Sequence, residues 1–156
     1  MPDNYTGVFD ILQFIQATLF FMLLLAVSVY DVRYREIPDR LQVGITATAF
    51  LGCSLWNLCG VFGALPYLVA ALLSHHRDGI GGGDIKLAGS TGLVLGLPAS
   101  FMASFVGLTT FLFYGFFRGG CWTWSGKKME EPLPLGPFLA AGAVVAYVMK
   151  SKGMIL

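Results

Sequence analysis

The chain has 156 residues, of which 56% are hydrophobic and only 12% are charged, and its formal net charge is +1. A soluble domain carries about a quarter charged residues, so a chain this apolar, with a mean hydropathy of +0.71, cannot cover its surface with polar groups in water. The near-neutral charge gives no support to nucleic-acid binding. The composition predicts an all-α polytopic membrane protein, with one integral membrane domain over residues 1–156 and no separate soluble domain.

The first two apolar blocks are separated by a short polar segment. Residues 11–30 carry no charge and are long enough, at ~1.5 Å per residue, to span a hydrocarbon core of ~30 Å. Residues 41–76 are also uncharged but are too long for one span. Asn57, Gly60 and Gly63 mark a turn in the middle of this block, which predicts two short helices that enter and return.

Two more apolar blocks follow in the second half of the chain. Residues 87–117 form a long block in which Gly96 and Pro98 predict a break, and residues 132–149 form the last block. The third block crosses either once or twice, which gives five or six spans in total. We expect about six, because six spans place eight of the ten basic residues on one side and five spans place seven there.

The distribution of charge also predicts the orientation of the chain. The segment before the first block contains Asp3 and Asp10 but no basic residue, so it lacks the basic start of a cleavable signal peptide. The first block is therefore interpreted as a permanent span, and the basic segment after it as cytoplasmic. We predict a multi-pass protein of the inner (cytoplasmic) membrane.

Two carboxylates lie at junctions between a polar loop and an apolar block. Asp31 follows the first block and Asp84 precedes the third. Because residues 41–76 leave one membrane face and return to it, the two aspartates are expected at the same face although they are 53 residues apart. Such a pair can hydrolyse a peptide bond, since one carboxylate activates a water and the other donates a proton. Like charges in proximity share a proton and titrate together.

Three successive glycines, Gly81, Gly82 and Gly83, precede Asp84. Such a run is expected to forbid a stable helix and to let the backbone approach another chain closely. A substrate helix must be unwound before its peptide bond is cut. The glycines could hold the extended substrate by strand-like pairing.

Three segments together resemble a known family. They are Asp31 followed by Ile37-Pro38-Asp39, then Gly81-Gly82-Gly83-Asp84-Ile85-Lys86-Leu87, and finally Pro134-Leu135-Gly136-Pro137. In this order, and over nearly the whole chain, they resemble the type IV prepilin peptidases and their archaeal preflagellin relatives, which are GxGD-type aspartyl proteases.

The resemblance implies that Asp31 and Asp84 are the essential aspartates, at the cytoplasmic face of six spans, with no metal and no cofactor. It implies as substrate a prepilin or pseudopilin, whose short basic leader could be attracted by Glu36 or Asp39. Larger members carry an insertion with zinc-binding cysteines and also methylate the new N-terminus. This sequence has no such insertion and no CxxC pair, so we expect peptidase activity without methyl transfer.

Several residues have two interpretations each. The residues expected to bind substrate or shape the site are Pro38, Asp39, Gly81, Gly82, Gly83, Lys86, Pro134, Gly136 and Pro137. Asp39 could instead cap the helix that begins near Leu41, and Lys86 could either tune Asp84 or anchor the chain at the interface. Pro134, Gly136 and Pro137 could line the site or only shape the start of the last span. Asp31 itself could end a helix and pair with Arg33 or Arg35.

The histidines and cysteines do not predict a metal site. His75 and His76 are adjacent and therefore point in different directions on a helix, so we interpret them as part of a solvated loop. Cys53, Cys59 and Cys121 have no metal-ligand spacing, and the first two lie in an apolar stretch where cysteine acts as a small hydrophobe.

Two rival functions stay open at this stage. A non-enzymatic membrane scaffold, or a subunit of an ion- or proton-coupled transporter, could use the aspartates to bind ions or protons. A transporter would more naturally bury a carboxylate in the middle of a span, whereas Asp31 and Asp84 lie at block edges. A GxGD protease with another substrate is the second rival. The sequence leaves the oligomeric state open.

Overall fold

The computed structural model describes residues 3–52, 55–73, 81–123 and 134–154. Within these ranges every regular element is helical, so the all-α prediction is confirmed for them. The α-helices are α1 (Asp3–Tyr34), α2 (Asp39–Ala49), α3 (Leu55–Leu58), α4 (Leu65–Leu73), α5 (Gly82–Leu95), α6 (Leu97–Thr123) and α7 (Gly136–Ser151), with 3₁₀ turns at Phe50–Gly52 and Cys59–Ala64.

Two helices in the described part are long and apolar enough to cross a membrane, by length and composition. They are Ile11–Tyr34 within α1 and Leu97–Phe117 within α6. Two shorter apolar helices cover Cys59–Val69 and Gly136–Ser151. The outward faces are apolar as well, since side chains such as Phe14, Leu72 and Phe116 are exposed.

The block of residues 41–76 folds differently from the two short helices that were predicted. Helix α2 ends at Ala49, and the chain then continues through a 3₁₀ turn, the single turn α3, the 3₁₀ segment Cys59–Ala64 and α4. The expected turn residues Asn57, Gly60 and Gly63 all lie in this irregular middle part. The position of the turn was therefore right, whereas the regularity of the helices was overestimated.

The break predicted in the third block is confirmed. Helix α5 ends at Leu95, and Gly96 has a φ of +81°, a left-handed conformation that favours glycine. Its N–H still donates to the Gly92 carbonyl at 2.8 Å. Helix α6 begins at Leu97, so Pro98 lies in the first turn, where its missing N–H leaves no carbonyl without a partner.

Successive long segments run in opposite directions. In each of three pairs of segments, an early residue of one segment contacts a late residue of the other. Between α1 and α2 the contacts are Gln16–Thr48 and Leu23–Gly44. Between the second 3₁₀ segment and α5 they are Gly60–Gly92 and Ala64–Gly89, and between α6 and α7 they are Ala103–Gly142 and Gly107–Phe138. As a result, the C-terminus of α1 and the N-termini of α2, α5 and α7 meet at one end of the bundle.

Candidate active site

Asp31 is buried near the C-terminus of α1, with 6% of its surface exposed. Its Oδ2 accepts a hydrogen bond of 2.9 Å from the backbone N–H of Gly136, the first residue of α7. This N–H belongs to the first turn of a helix, where it has no partner within the helix. The contact therefore satisfies a helix terminus and holds the Asp31 carboxyl in one position.

Asp84 lies in the first turn of α5, ahead of the apolar block 87–117, and is half-buried. Burial raises the pKa of its carboxyl to about 6, and the nearby charge of Asp31 acts in the same direction. Both carboxyls line one cavity of about 360 Å³. The structure thus brings together the two aspartates that the sequence singled out.

The glycine run is not the non-helical segment that was expected. Only Gly81 is extended (φ −61°, ψ 141°), and α5 already begins at Gly82. The entropic cost of glycine applies to the interior of a helix, whereas Gly82 and Gly83 lie in the first turn. All three glycines line the cavity, and Gly81 and Gly82 are exposed. Their backbone is therefore accessible beside Asp84.

Gln42, which the sequence analysis did not select, secures the glycine run. This buried residue of α2 donates a hydrogen bond of 3.2 Å from Nε2 to the carbonyl of Gly83, the residue before Asp84. A signal was present in the sequence: Gln42 is a strongly polar residue at the start of an uncharged block, one turn after Asp39. Its partner, however, is 41 residues away and could not be inferred from spacing.

Replacing Gln42 by glutamate tests this contact. The change keeps the shape of the side chain but places a carboxylate against the Gly83 carbonyl. Because a buried group that loses its partner costs about 1–3 kcal/mol, we expect a lower midpoint of thermal unfolding. The matched comparison is Lys86→Met, which removes the other polar link between α2 and α5. That link is exposed, so we expect a loss of at most ~1 kcal/mol, and equal losses for the two variants would contradict our interpretation.

Asp39 and Lys86 form that exposed link, with 2.8 Å between Nζ and Oδ1. The interpretation of Asp39 as a helix cap is wrong, because α2 begins at Asp39 itself and Pro38 is the cap residue, without a side-chain hydrogen bond. The ammonium of Lys86 binds Asp39. Both residues line the cavity, at its rim.

For Pro134, Gly136 and Pro137, the sequence analysis offered two interpretations, lining the site or shaping the start of the last span. Gly136 contacts the Asp31 carboxyl directly and therefore belongs to the site. Pro137 lies in the first turn of α7, where its fixed φ favours the start of a helix. Pro134 and Pro137 are not among the described residues that line the cavity.

Some predicted residues lie outside the described part of the chain. These are His75, His76 and Cys53, together with the side chain of Cys121. Cys59 is exposed and carries a free thiol. Within the described ranges, no group of three or more His, Cys, Asp or Glu side chains is arranged to hold a metal ion.

Comparison with known proteins identifies the family. The model of the type IV leader peptidase family matches residues 18–123, which include both aspartates. Proteins named prepilin leader peptidase/N-methyltransferase are similar to the chain. The one from Bacillus subtilis (strain 168) is 33% identical over 146 residues, covering 88% of this chain and 56% of the relative.

Further relatives carry the same name. The one from Burkholderia pseudomallei (strain 1026b) is 32% identical over 143 residues, covering 76% of this chain and 41% of the relative. The chain spans about half the length of the relatives it matches, and no solved structure matches it. Two thirds of the chain match the family model, and both aspartates fall within the match. The chain therefore belongs to the type IV leader peptidase family.

Proposed function

We propose that this chain is an aspartyl endopeptidase that removes the leader peptide from prepilins or pseudopilins, using Asp31 and Asp84 to activate a water molecule. One observation carries the proposal: two carboxyls 53 residues apart line the same cavity at one end of the bundle. Membership of the leader peptidase family supports the choice of substrate.

The surroundings of the two carboxyls favour different roles for them. Burial disfavours the charged form of both carboxyls, but Asp31 also receives a hydrogen bond from the Gly136 N–H, which favours its charged form. The raised pKa of Asp84 favours its protonated form. Asp31 then removes a proton from water as the oxygen attacks the scissile carbonyl, while Asp84 donates its proton to the carbonyl oxygen. When the tetrahedral intermediate collapses, the proton held by Asp31 passes to the leaving amine, the C–N bond breaks, and one hydroxyl of the intermediate returns a proton to Asp84.

The size of the cavity favours an extended substrate. One turn of an α-helix, about 10–12 Å wide and 5.4 Å long, occupies roughly 420–610 Å³, which exceeds the cavity volume of about 360 Å³. The exposed backbone of Gly81 and Gly82 could pair with an unwound segment beside Asp84. Glu36 and Asp39 also line the cavity and could attract the basic leader.

We place the chain in the inner membrane with six crossings and the aspartates at the cytoplasmic face. The alternating direction of α1, α2, the segment Cys59–Leu73, α5, α6 and α7 supports this count. So do the exposed apolar side chains on the outer surface, because a protein in water rarely exposes so much apolar area. The basic residues near Asp31 support the orientation.

A cleavage assay tests the activity. The full chain, in membranes or lipid nanodiscs, is incubated with a purified prepilin, and the product is sequenced by mass spectrometry. We expect a single cut between the leader and the apolar helix, with an unmethylated new N-terminus when a methyl donor is supplied. A chain that inserts stably but cuts no prepilin or pseudopilin would refute the proposal in favour of a scaffold or transporter.

The rate of cleavage should depend on pH through Asp84. Because the acid must carry its proton, and the pKa of Asp84 is raised to about 6, kcat/KM should fall as the pH rises above about 6. Difference infrared spectroscopy can follow the carboxyl directly. In the variant Asp31→Asn the pKa of Asp84 should fall but stay above its usual range, because burial, the larger cause, is unchanged. An unaltered Asp84 titration would show that the two carboxyls do not interact.

A further inference from the structure

A second and larger cavity lies at the end of the bundle opposite the aspartates. Its volume is about 670 Å³, and it is formed where α1, α5 and α7 approach the turn after α2. Part of its wall is apolar, with Phe14, Phe21, Val94 and Tyr147. The ring of Phe21 packs edge-on against Tyr147 at 5.3 Å. Nothing in the cleavage chemistry uses this cavity.

The polar part of the wall centres on Lys150 in the last turn of α7. Its Nζ donates to the Leu95 carbonyl at 2.7 Å and to the Asn57 Oδ1 at 3.2 Å. Both acceptors are neutral, and the described residues give Lys150 no carboxylate partner. An ammonium has three hydrogens, so one remains for a further acceptor. The amide of Gln13 lines the same cavity and can also donate.

A half-buried cation without a counter-ion is unfavourable because burial removes part of its hydration. The carbonyl end of α5 offsets some of this cost, but an anion within the cavity would offset more. The ligand must also match the apolar wall. Phe14 is 74% exposed and Ile11, one turn earlier, is 61% exposed, so the apolar wall continues onto the outer surface of α1.

We propose that this cavity binds an anionic phospholipid, with its phosphate at Lys150 and Gln13 and the upper part of an acyl chain against Phe14 and Phe21. A soluble anion would use the cation but not the apolar wall, and a lipid without net charge would use the wall but leave the charge of Lys150 uncompensated. The proposal rests on the bilayer placement proposed above but not on the peptidase activity.

Native mass spectrometry of the full chain in mild detergent tests the proposal. The chain is offered equal amounts of phosphatidylglycerol and phosphatidylcholine with identical acyl chains. We expect phosphatidylglycerol to be retained with a preference on the order of tenfold, as one charge-assisted contact gives. The variant Lys150→Met should lose this preference. Lys152→Met is the matched control, because Lys152 is an exposed cation at the same end that does not line the cavity.

Each other outcome would overturn the inference. Equal loss in both lysine variants would show only general surface attraction. Equal binding of the two lipids, which both carry a phosphate, would show that the cavity does not select a net negative charge. Competition by inorganic phosphate at the same concentration would indicate a site for a free anion. If Lys150→Met does not fold, the variant Ala17→Phe tests the proposal instead. The larger side chain fills the cavity while Lys150 is kept, so retention of phosphatidylglycerol should be abolished. Prepilin cleavage is measured in parallel, so that a failure of the lipid proposal can be distinguished from a failure of the proposed peptidase activity.

Discussion

Replacing either Asp31 or Asp84 by asparagine is expected to lower kcat for prepilin cleavage by about 10³-fold or more, since a positioned acid or base contributes roughly 10²–10⁴-fold. Asparagine keeps the shape of the side chain but can neither accept a proton from water nor donate one to the carbonyl oxygen. In Asp31→Asn the new amide can still turn its oxygen towards the Gly136 N–H, so the fold should survive. Initial rates with a purified prepilin, together with the amount of chain in the membrane, measure the effect.

The matched control is Asp39→Asn, because Asp39 is another carboxylate of the same cavity. It is exposed and bound to Lys86, so its loss should leave kcat nearly unchanged and appear mainly in KM. The double variant Asp31→Asn/Asp84→Asn should be no slower than either single variant, because groups that act as a unit are not additive. Normal cleavage by either single variant would show that the catalytic pair has been wrongly assigned.

The sequence was sufficient to predict the helical class, the break in the third block and the meeting of the two aspartates, because these follow from charge, glycine and the order of the blocks. Uncharged blocks must be helical in a bilayer, and Gly96 with Pro98 interrupted one of them as expected. Asp31 and Asp84 were predicted at the same end because the block between them returns, and they line one cavity. Such features depend on composition and order along the chain.

Contacts made across the bundle could not be predicted in this way. Gln42 bonds to the Gly83 carbonyl and Lys86 to Asp39, and both pairs depend on how α2 is rotated against α5. The start of α5 at Gly82 was missed because propensity disfavours glycine in a helix, while a first turn packed against α2 tolerates it. These details arise from tertiary packing, which overrides local preference.

Gly136→Ala should damage the site although it replaces neither carboxyl. A Cβ at this position would lie 2.7 Å from Oδ2 and 3.0 Å from Cγ of Asp31, well inside van der Waals contact. Either the carboxyl moves, or α7 shifts and the hydrogen bond of 2.9 Å is lost. Because a displacement of about 1 Å can cost on the order of 10²-fold in rate, we expect kcat to fall by about that factor. Overpacking should also destabilise the fold by about 1–3 kcal/mol.

Gly89→Ala separates the effect of this contact from the effect of adding a methyl group to any helix. Gly89 is also a buried helical glycine, but a Cβ there would meet its nearest neighbour, the Cβ of Ala64, at an ordinary 3.7 Å. Because alanine is favoured over glycine within a helix by about 1 kcal/mol, this variant should be at least as stable as the wild type and fully active. The decisive comparison is kcat and the midpoint of thermal unfolding for both variants. If Gly136→Ala cuts prepilin as fast as Gly89→Ala, the start of α7 does not position the Asp31 carboxyl, and the assignment of Asp31 as the base loses its structural support.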